Sequence, residues 1–201
     1  MPTSATKTGV LMRLARKRPI RARDLDRAGI PRAYLERLRK RGLLEQVDRG
    51  LYRAVDAPAS ELLTLAEVAT RVPHGIVCLL SALQAHELTT EVPHGVWLMI
   101  DRHARKPNIS YPKLEVVRAS GRALTHGVES RMIDGVRVRI TNPAKTVADC
   151  FRYRRHVGLD VALAALRDYL RKHRSGMNAL VDAARADRVY TLMRPYLEVL
   201  A

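Results

Sequence analysis

The residues able to do chemistry are few, and their spacing serves little of it. A nucleotidyltransferase needs a Gly-Ser turn to hold phosphate and an Asp-x-Asp pair on a strand for metal ions. The one Asp-x-Asp here, Asp24-Leu25-Asp26, lacks the Gly-Ser turn and falls in a helical stretch, where it reads as surface charge. A restriction-type nuclease needs an acid followed by Glu-x-Lys on the next strand. Asp101 and Glu115 come in that order, but Glu115 leads into Val116-Val117-Arg118, with no lysine two positions on. The chain has no Gly-rich loop ending in Lys-Ser or Lys-Thr, and no His-Glu-x-x-His.

Cysteine and histidine fare no better. Cys78 lies eight residues before His86 and Cys150 six before His156, and neither spacing fits a zinc site. Both cysteines sit on apolar faces and read as small buried hydrophobes. Ser81 and His86 are five apart on one helix, poor geometry for a nucleophile and its base. His86 reads as a packing or hydrogen-bonding group. Lys145 and Asp149 have the i,i+4 spacing of a helix-surface ion pair, worth about 0.2–0.5 kcal/mol. The expectation is therefore a non-enzyme: no catalytic residue, no metal and no cofactor.

Charge is the strong signal. Among 201 residues there are 36 Lys and Arg against 20 Asp and Glu, a formal net charge of +16. Residues 1–54 hold 15 basic and 5 acidic side chains, so about a quarter of the chain carries a net +10. Such a balance calls for a polyanionic partner. Aromatic content of 4% disfavours a base-stacking RNA platform. The apolar runs fall far short of a bilayer span, and Arg13, Arg16, Lys17 and Arg18 break the only signal-like segment. Two cysteines make no disulfide framework, and a reducing cytoplasm is the expected location.

The elements that must position this charge follow from periodicity. Thr8–Arg16 has one apolar face and stops at Pro19. Arg23–Ala28 is a short second helix with Gly29 at its C-terminal cap, and Ile30 plugs the core. Pro31 opens a third helix that runs to Arg41 and is stopped by Gly42. On it Tyr34, Leu35 and Leu38 share a side, while Arg32, Arg37, Arg39 and Lys40 spread around the rest. Leu43–Val47 and Leu51–Arg53 read as two strands about the turn Asp48-Arg49-Gly50. Three helices then a hairpin is the winged helix-turn-helix order, in which the third helix enters the major groove and the hairpin tip reaches the backbone. The expected contacts to double-stranded DNA are Arg23, Arg32, Tyr34, Arg37 and Lys40, with Arg49 at the wing.

Residues 1–56 are thus read as a DNA-binding domain and 57–201 as an α+β domain. Ser60–Arg71 is helical, with Ser60 as its cap. Gly75–Leu88 reads as a buried helix, although Ile76–Leu80 alone also suits a strand. Val96–Ile100 and Leu114–Arg118 are strands, and Asp134-Gly135 joins Met132–Ile133 to Val136–Ile140 as a hairpin. Asn142-Pro143 caps a helix over Ala144–Arg154. Gly158 ends it; Leu159–His173, Met177–Ala186 and Val189–Leu200 follow as helices, the last interrupted at Pro195.

Several motifs resemble one family. Asp24–Ile30, Tyr34, Leu38, Gly42-Leu43-Leu44 and Arg49-Gly50-Leu51-Tyr52 look like the N-terminal winged helix of the AbiEi antitoxins of type IV toxin–antitoxin systems used in phage defence. Cys78-Leu79-Leu80-Ser81-Ala82-Leu83, His86, Leu88-Thr89-Thr90, Pro93-His94, Val96-Trp97, Ile140-Thr141 and Ala144–Phe151 resemble that family's core, in family order. One departure stands out: the second helix has Arg21-Ala22 where a Ser or Thr cap is expected, which predicts a frayed start.

The resemblance implies a repressor that binds repeats in its own promoter and counters a nucleotidyltransferase toxin encoded beside it, without a stable complex. It also implies an antitoxicity patch at Lys145, Asp149, Arg152 and Arg154. No membrane partner is expected, and no heptad fixes an oligomeric state, with a monomer slightly favoured. Two other readings stay open: a nuclease-like enzyme targeted by the winged helix, and a plain regulator released from DNA by a ligand.

Overall fold

A computed structural model describes residues 7–17, 19–48, 50–56, 62–109 and 112–200. The architecture is α+β, with an N-terminal helix and strand region and a more helical C-terminal region. The chain divides into two compact units, residues 1–70 with 132–136, and residues 71–131 with 137–201. Among the described residues no helix is long and apolar enough to cross a membrane.

In the first unit α1 (Lys7–Lys17), α2 (Ala22–Arg27) and α3 (Ala33–Lys40) pack around Leu11, Ala15, Ile20, Leu25, Ile30, Leu35 and Leu38. The two short helices end alike. After α2, Ile30 N–H reaches Leu25 O at 2.9 Å and Gly29 N–H reaches Asp26 O at 3.2 Å. After α3, Leu43 N–H reaches Leu38 O at 3.0 Å and Gly42 N–H reaches Arg39 O at 2.9 Å. Both glycines are left-handed, at φ 64° and 68°, which a Cβ would disfavour, and each precedes an apolar residue that packs back on the core. The sequence places α3 from Pro31; the helix begins at Ala33, because Pro31 and Arg32 form the preceding turn, with their carbonyls accepting from Tyr34 and Leu35 N–H.

Two further expectations are corrected. The start of α2 is tied down rather than frayed: the Asp24 carboxylate, three residues in, accepts from Arg21 N–H at 2.8 Å, the returning half of a capping box. The wing is a three-stranded sheet rather than a bare hairpin. Its order is β1 (Ile20–Arg21), β3 (Leu51–Ala54), β2 (Leu44–Asp48), all antiparallel. Glu45 faces Arg53 across β2 and β3 and the two side chains pair. The register slips between Gln46 and Asp48, a bulge next to the hairpin tip. Helix α4 (Leu63–Arg71) follows the linker; the expected cap Ser60 lies outside the described residues.

The second unit is built on a five-stranded mixed sheet, in the order β6 (Leu114–Ala119), β5 (Val96–Asp101), β4 (Ile76–Val77), β8 (Val136–Thr141), β7 (Val128–Ile133). The central strand β4 is two residues long, antiparallel to β5 and parallel to β8. The buried helix expected from Gly75 therefore starts later, as α5 (Leu79–Ala85), after the chain has crossed the sheet. A four-residue helix α6 (Arg122–Thr125) links β6 to β7.

Helix α7 (Pro143–Arg152) is the hub. Asn142 caps it, its Oδ1 accepting from Lys145 N–H at 2.9 Å, as the Asn-Pro pair predicts. It packs on α5, on α9 (Leu159–Lys172) and on α10 (Met177–Ala186). Every residue from Ala144 to Phe151 is buried. The short α8 (Arg154–Val157) precedes α9, and α11 (Tyr190–Leu200) closes the chain with Pro195 inside it, Tyr196 lying 5.8 Å from the Phe151 ring.

Candidate nucleic-acid interface

Helix α3 buries Leu35 and Leu38 and leaves Glu36, Arg37, Arg39 and Lys40 exposed, as is Arg32 in the turn before it. The cations are not equivalent. Arg32 forms a two-pronged pair with Asp26 of α2, at 3.1 and 2.6 Å. Arg39 does the same with Glu36, at 3.0 and 2.7 Å. These hydrogen bonds hold Asp26 and Glu36 below their ordinary values, so both stay ionised. Arg37 instead lies flat over the Tyr34 ring, 4.0 Å from its centroid. Tyr34 is half-buried against the core, so it supports Arg37 from below. Among the described residues Arg37 and Lys40 make no salt bridge. They are three positions apart, and although Lys40 also feels Glu36 one turn away, neither cation is tied to a carboxylate by a hydrogen bond among the described residues.

Of the other expected contacts, Arg23 is exposed on α2. Arg49 lies outside the described residues. Sequence reasoning missed the carboxylates that neutralise Arg32 and Arg39. Asp26 lies six residues before Arg32 across a turn, and no helical spacing rule pairs them.

The acidic residues weighed for catalysis have structural partners. Asp24 caps α2, and Asp26 holds Arg32. Strands β5 and β6 are parallel, with Trp97 beside Glu115 and Asp101 beside Ala119. Asp101 and Glu115 thus lie four residues apart along the strands, about 13 Å, too far to share a metal ion. Among the described residues no group of three His, Cys, Asp or Glu side chains could hold one. Cys78 and Cys150 are both buried and free, and burial pushes both thiols well above their ordinary value. Ser81 Oγ accepts from Trp97 N–H at 3.0 Å, and His86 Nε2–H donates to Thr141 O at 2.7 Å. Burial lowers the His86 value, which suits a neutral ring donating to a carbonyl.

The expectation for Lys145 and Asp149 as a surface pair is overturned. Neither side chain has any exposed area. Lys145 Nζ donates to Asp149 and also to both carboxylate oxygens of Asp187, at 2.9 and 3.0 Å. Asp187, also buried, was not anticipated; it lies 42 positions further on. Burial opposes the charge on Lys145, but the two carboxylates outweigh it and hold the ammonium above its usual value. Burial drives Asp149 well up and Asp187 up, with Lys145 pulling both the other way. One Asp149 oxygen, Oδ2, has no hydrogen-bond partner among the described residues. Arg152 and Arg154 are half-buried. Their Nη1 groups donate to Asp187 O at 2.7 Å and Phe151 O at 3.1 Å.

Comparison with known proteins agrees with the geometry of the first unit. No curated protein matches the chain. The fold resembles the crystal structure of Rv2827c protein from Mycobacterium tuberculosis, with a TM-score of 0.54 and 16% identity, over 95% of this chain and 79% of that one. Residues 7–55, the segment that forms α1 to β3, match the family described as "Transcriptional regulator, AbiEi antitoxin".

Proposed function

We propose that the first unit binds double-stranded DNA, with α3 in the major groove and the β2–β3 wing on the backbone, and that the protein represses its own promoter by binding repeats there. The observation that carries this reading is the solvent face of α3 within the segment that resembles a transcriptional-regulator family. On that face Arg37 lies over the Tyr34 ring, and Lys40 makes no salt bridge among the described residues. A stacked guanidinium keeps its fork free for a guanine edge, the commonest specific contact in the major groove. Arg23, Arg32 and Arg49 supply phosphate contacts in this reading, and Arg32 reaches DNA by leaving Asp26.

The same resemblance supports an antitoxin role, in which the second unit counters a partner nucleotidyltransferase toxin without a stable complex. Arg152 and Arg154 are the members of the expected patch with exposed surface; Lys145 and Asp149 act only by holding α7 in place.

Fluorescence anisotropy with the protein's own upstream DNA and a scrambled duplex, over a salt series, tests the repressor. A specific protein prefers its own site by about 10³-fold or more. Equal and steeply salt-dependent binding to both duplexes would reduce the +16 to generic phosphate attraction and end the promoter claim.

A further inference from the structure

The second unit holds a concavity of about 330 Å³ lined by Arg122, Arg152, Arg185 and Arg188, with Ser120; the rest of the lining is a glycine and two alanines. Among the described residues none of these four guanidinium groups makes a salt bridge to a carboxylate. By contrast, Arg32 before α3 and Arg39 on it are clamped by acids. Four cations converging on one hollow repel one another, and an anion seated there would relieve that repulsion. Of the nearby acids, Asp187 attracts Arg152, but both its carboxylate oxygens accept from Lys145 and neither bonds a guanidinium of the hollow.

Two of the four groups are fixed in advance. Arg152 Nη1 donates to Asp187 O at 2.7 Å, and Arg185 lies over the Tyr190 ring, 5.4 Å from its centroid. Arg188 leaves α10 at φ 58°, a backbone conformation that a side chain disfavours and that the turn into α11 imposes. The arginines come from three separate stretches of chain, so the cluster is a product of the fold and not of a basic run.

We propose that this concavity binds a polyphosphate chain carried by a small molecule. Arginine forks match phosphate oxygens in pairs, and four of them fit two or three linked phosphates better than a single one. The lining contains no aromatic ring on which a base could stack, so recognition falls on the phosphates rather than on a base attached to them. This site stands apart from the DNA-binding reading of the first unit.

Calorimetric titration of the full-length protein with inorganic triphosphate, ATP and sulfate at physiological salt tests it, beside duplex binding by anisotropy. Triphosphate and ATP should bind with similar affinity and sulfate far more weakly. Arg188→Gln and Arg185→Gln should each weaken triphosphate by about tenfold or more, the scale of one lost charge-assisted hydrogen bond. Ser120→Glu, an exposed change that keeps every arginine, should abolish binding by placing a carboxylate in the hollow. Duplex binding should be unchanged in all three variants. Failure of triphosphate to bind, or equal binding by all the variants, would overturn the proposal. So would variants that lose duplex affinity while keeping triphosphate, since the arginines would then be a nucleic-acid surface. Failure of triphosphate to bind leaves the reading of α3 untouched, since that reading is tested by the duplex titration alone.

Discussion

Two helices of this protein carry an acid and a base one turn apart, and they use the pair in opposite ways. On α3, Glu36 and Arg39 meet in water; on α7, Lys145 and Asp149 meet where there is none. The hydrogen bond to Arg39 pulls Glu36 below its ordinary value, whereas burial drives Asp149 above its own. Environment, not spacing, decides what the pair does. At the surface the acid tunes the field that a polyanion meets. Inside, the lysine makes two buried carboxylates tolerable.

The largest effect should come from breaking the inner arrangement. Lys145→Met leaves Asp149 and Asp187 buried together without a cation, and should cost about 3–5 kcal/mol. Chemical denaturation would show it as a loss of midpoint; an unchanged midpoint would mean that the two acids are already neutral in the native protein. Next comes the surface helix. Arg37→Ala should weaken binding to the protein's own site by about tenfold or more and relax its preference over a scrambled duplex. Folding should be unaffected, since Arg37 stands outside the core.

Acidity sharpens the contrast. Asp149 and Asp187 titrate above the ordinary carboxylate value of 3.8 in the folded chain, so the native state holds protons that the unfolded chain releases. Their contribution to stability is complete below that value and declines as the pH rises through their folded values. Asp149→Asn mimics the protonated form and leaves Lys145 with one carboxylate. Thermal melts between neutral and mildly acidic pH should show this variant at least as stable as the parent near neutrality, and the gap should close on acidification. Glu36 and Asp26 are lowered and have the opposite sign, with stability lost as pH falls; as exposed groups they should leave no measurable trace in the same melts. The smallest effect is expected from Glu36→Gln. Releasing Arg39 adds one cation to the face of α3. Duplex affinity should rise slightly at low salt, with a salt dependence steeper by about one counterion, while the melting temperature stays put.

What could be read in the sequence was what neighbours decide. Asn142-Pro143 announces the cap of α7, and Gly29 and Gly42 mark two helix ends, because each signal and its consequence lie within a few residues. Strand β1 is two residues long, and no periodicity can register in two positions; β4, equally short, could be read only as the strand alternative that Ile76–Leu80 offered beside a helix. Asp187 was out of reach for another reason: spacing pairs Lys145 with Asp149, and only the packing of α10 on α7 brings in the third member. The α3 surface was legible as a basic helix. Which of its cations are spent on acids was not, because Asp26 reaches Arg32 across a turn.

The two-residue strand β4 also sets an order of events as the chain is made. Its partner Ile140 lies 63 positions beyond Val77, whereas the core of the winged helix closes between Leu11 and Ala54. Distant pairings close late, because the entropy of the intervening chain is lost before any contact repays it. During synthesis, the small N-terminal core has all its parts outside the ribosome long before the central sheet can form. A nascent chain should therefore hold a folded α1–β3 segment ahead of an open stretch that exposes Ile76, Val77, Leu98 and Met99 until β8 emerges.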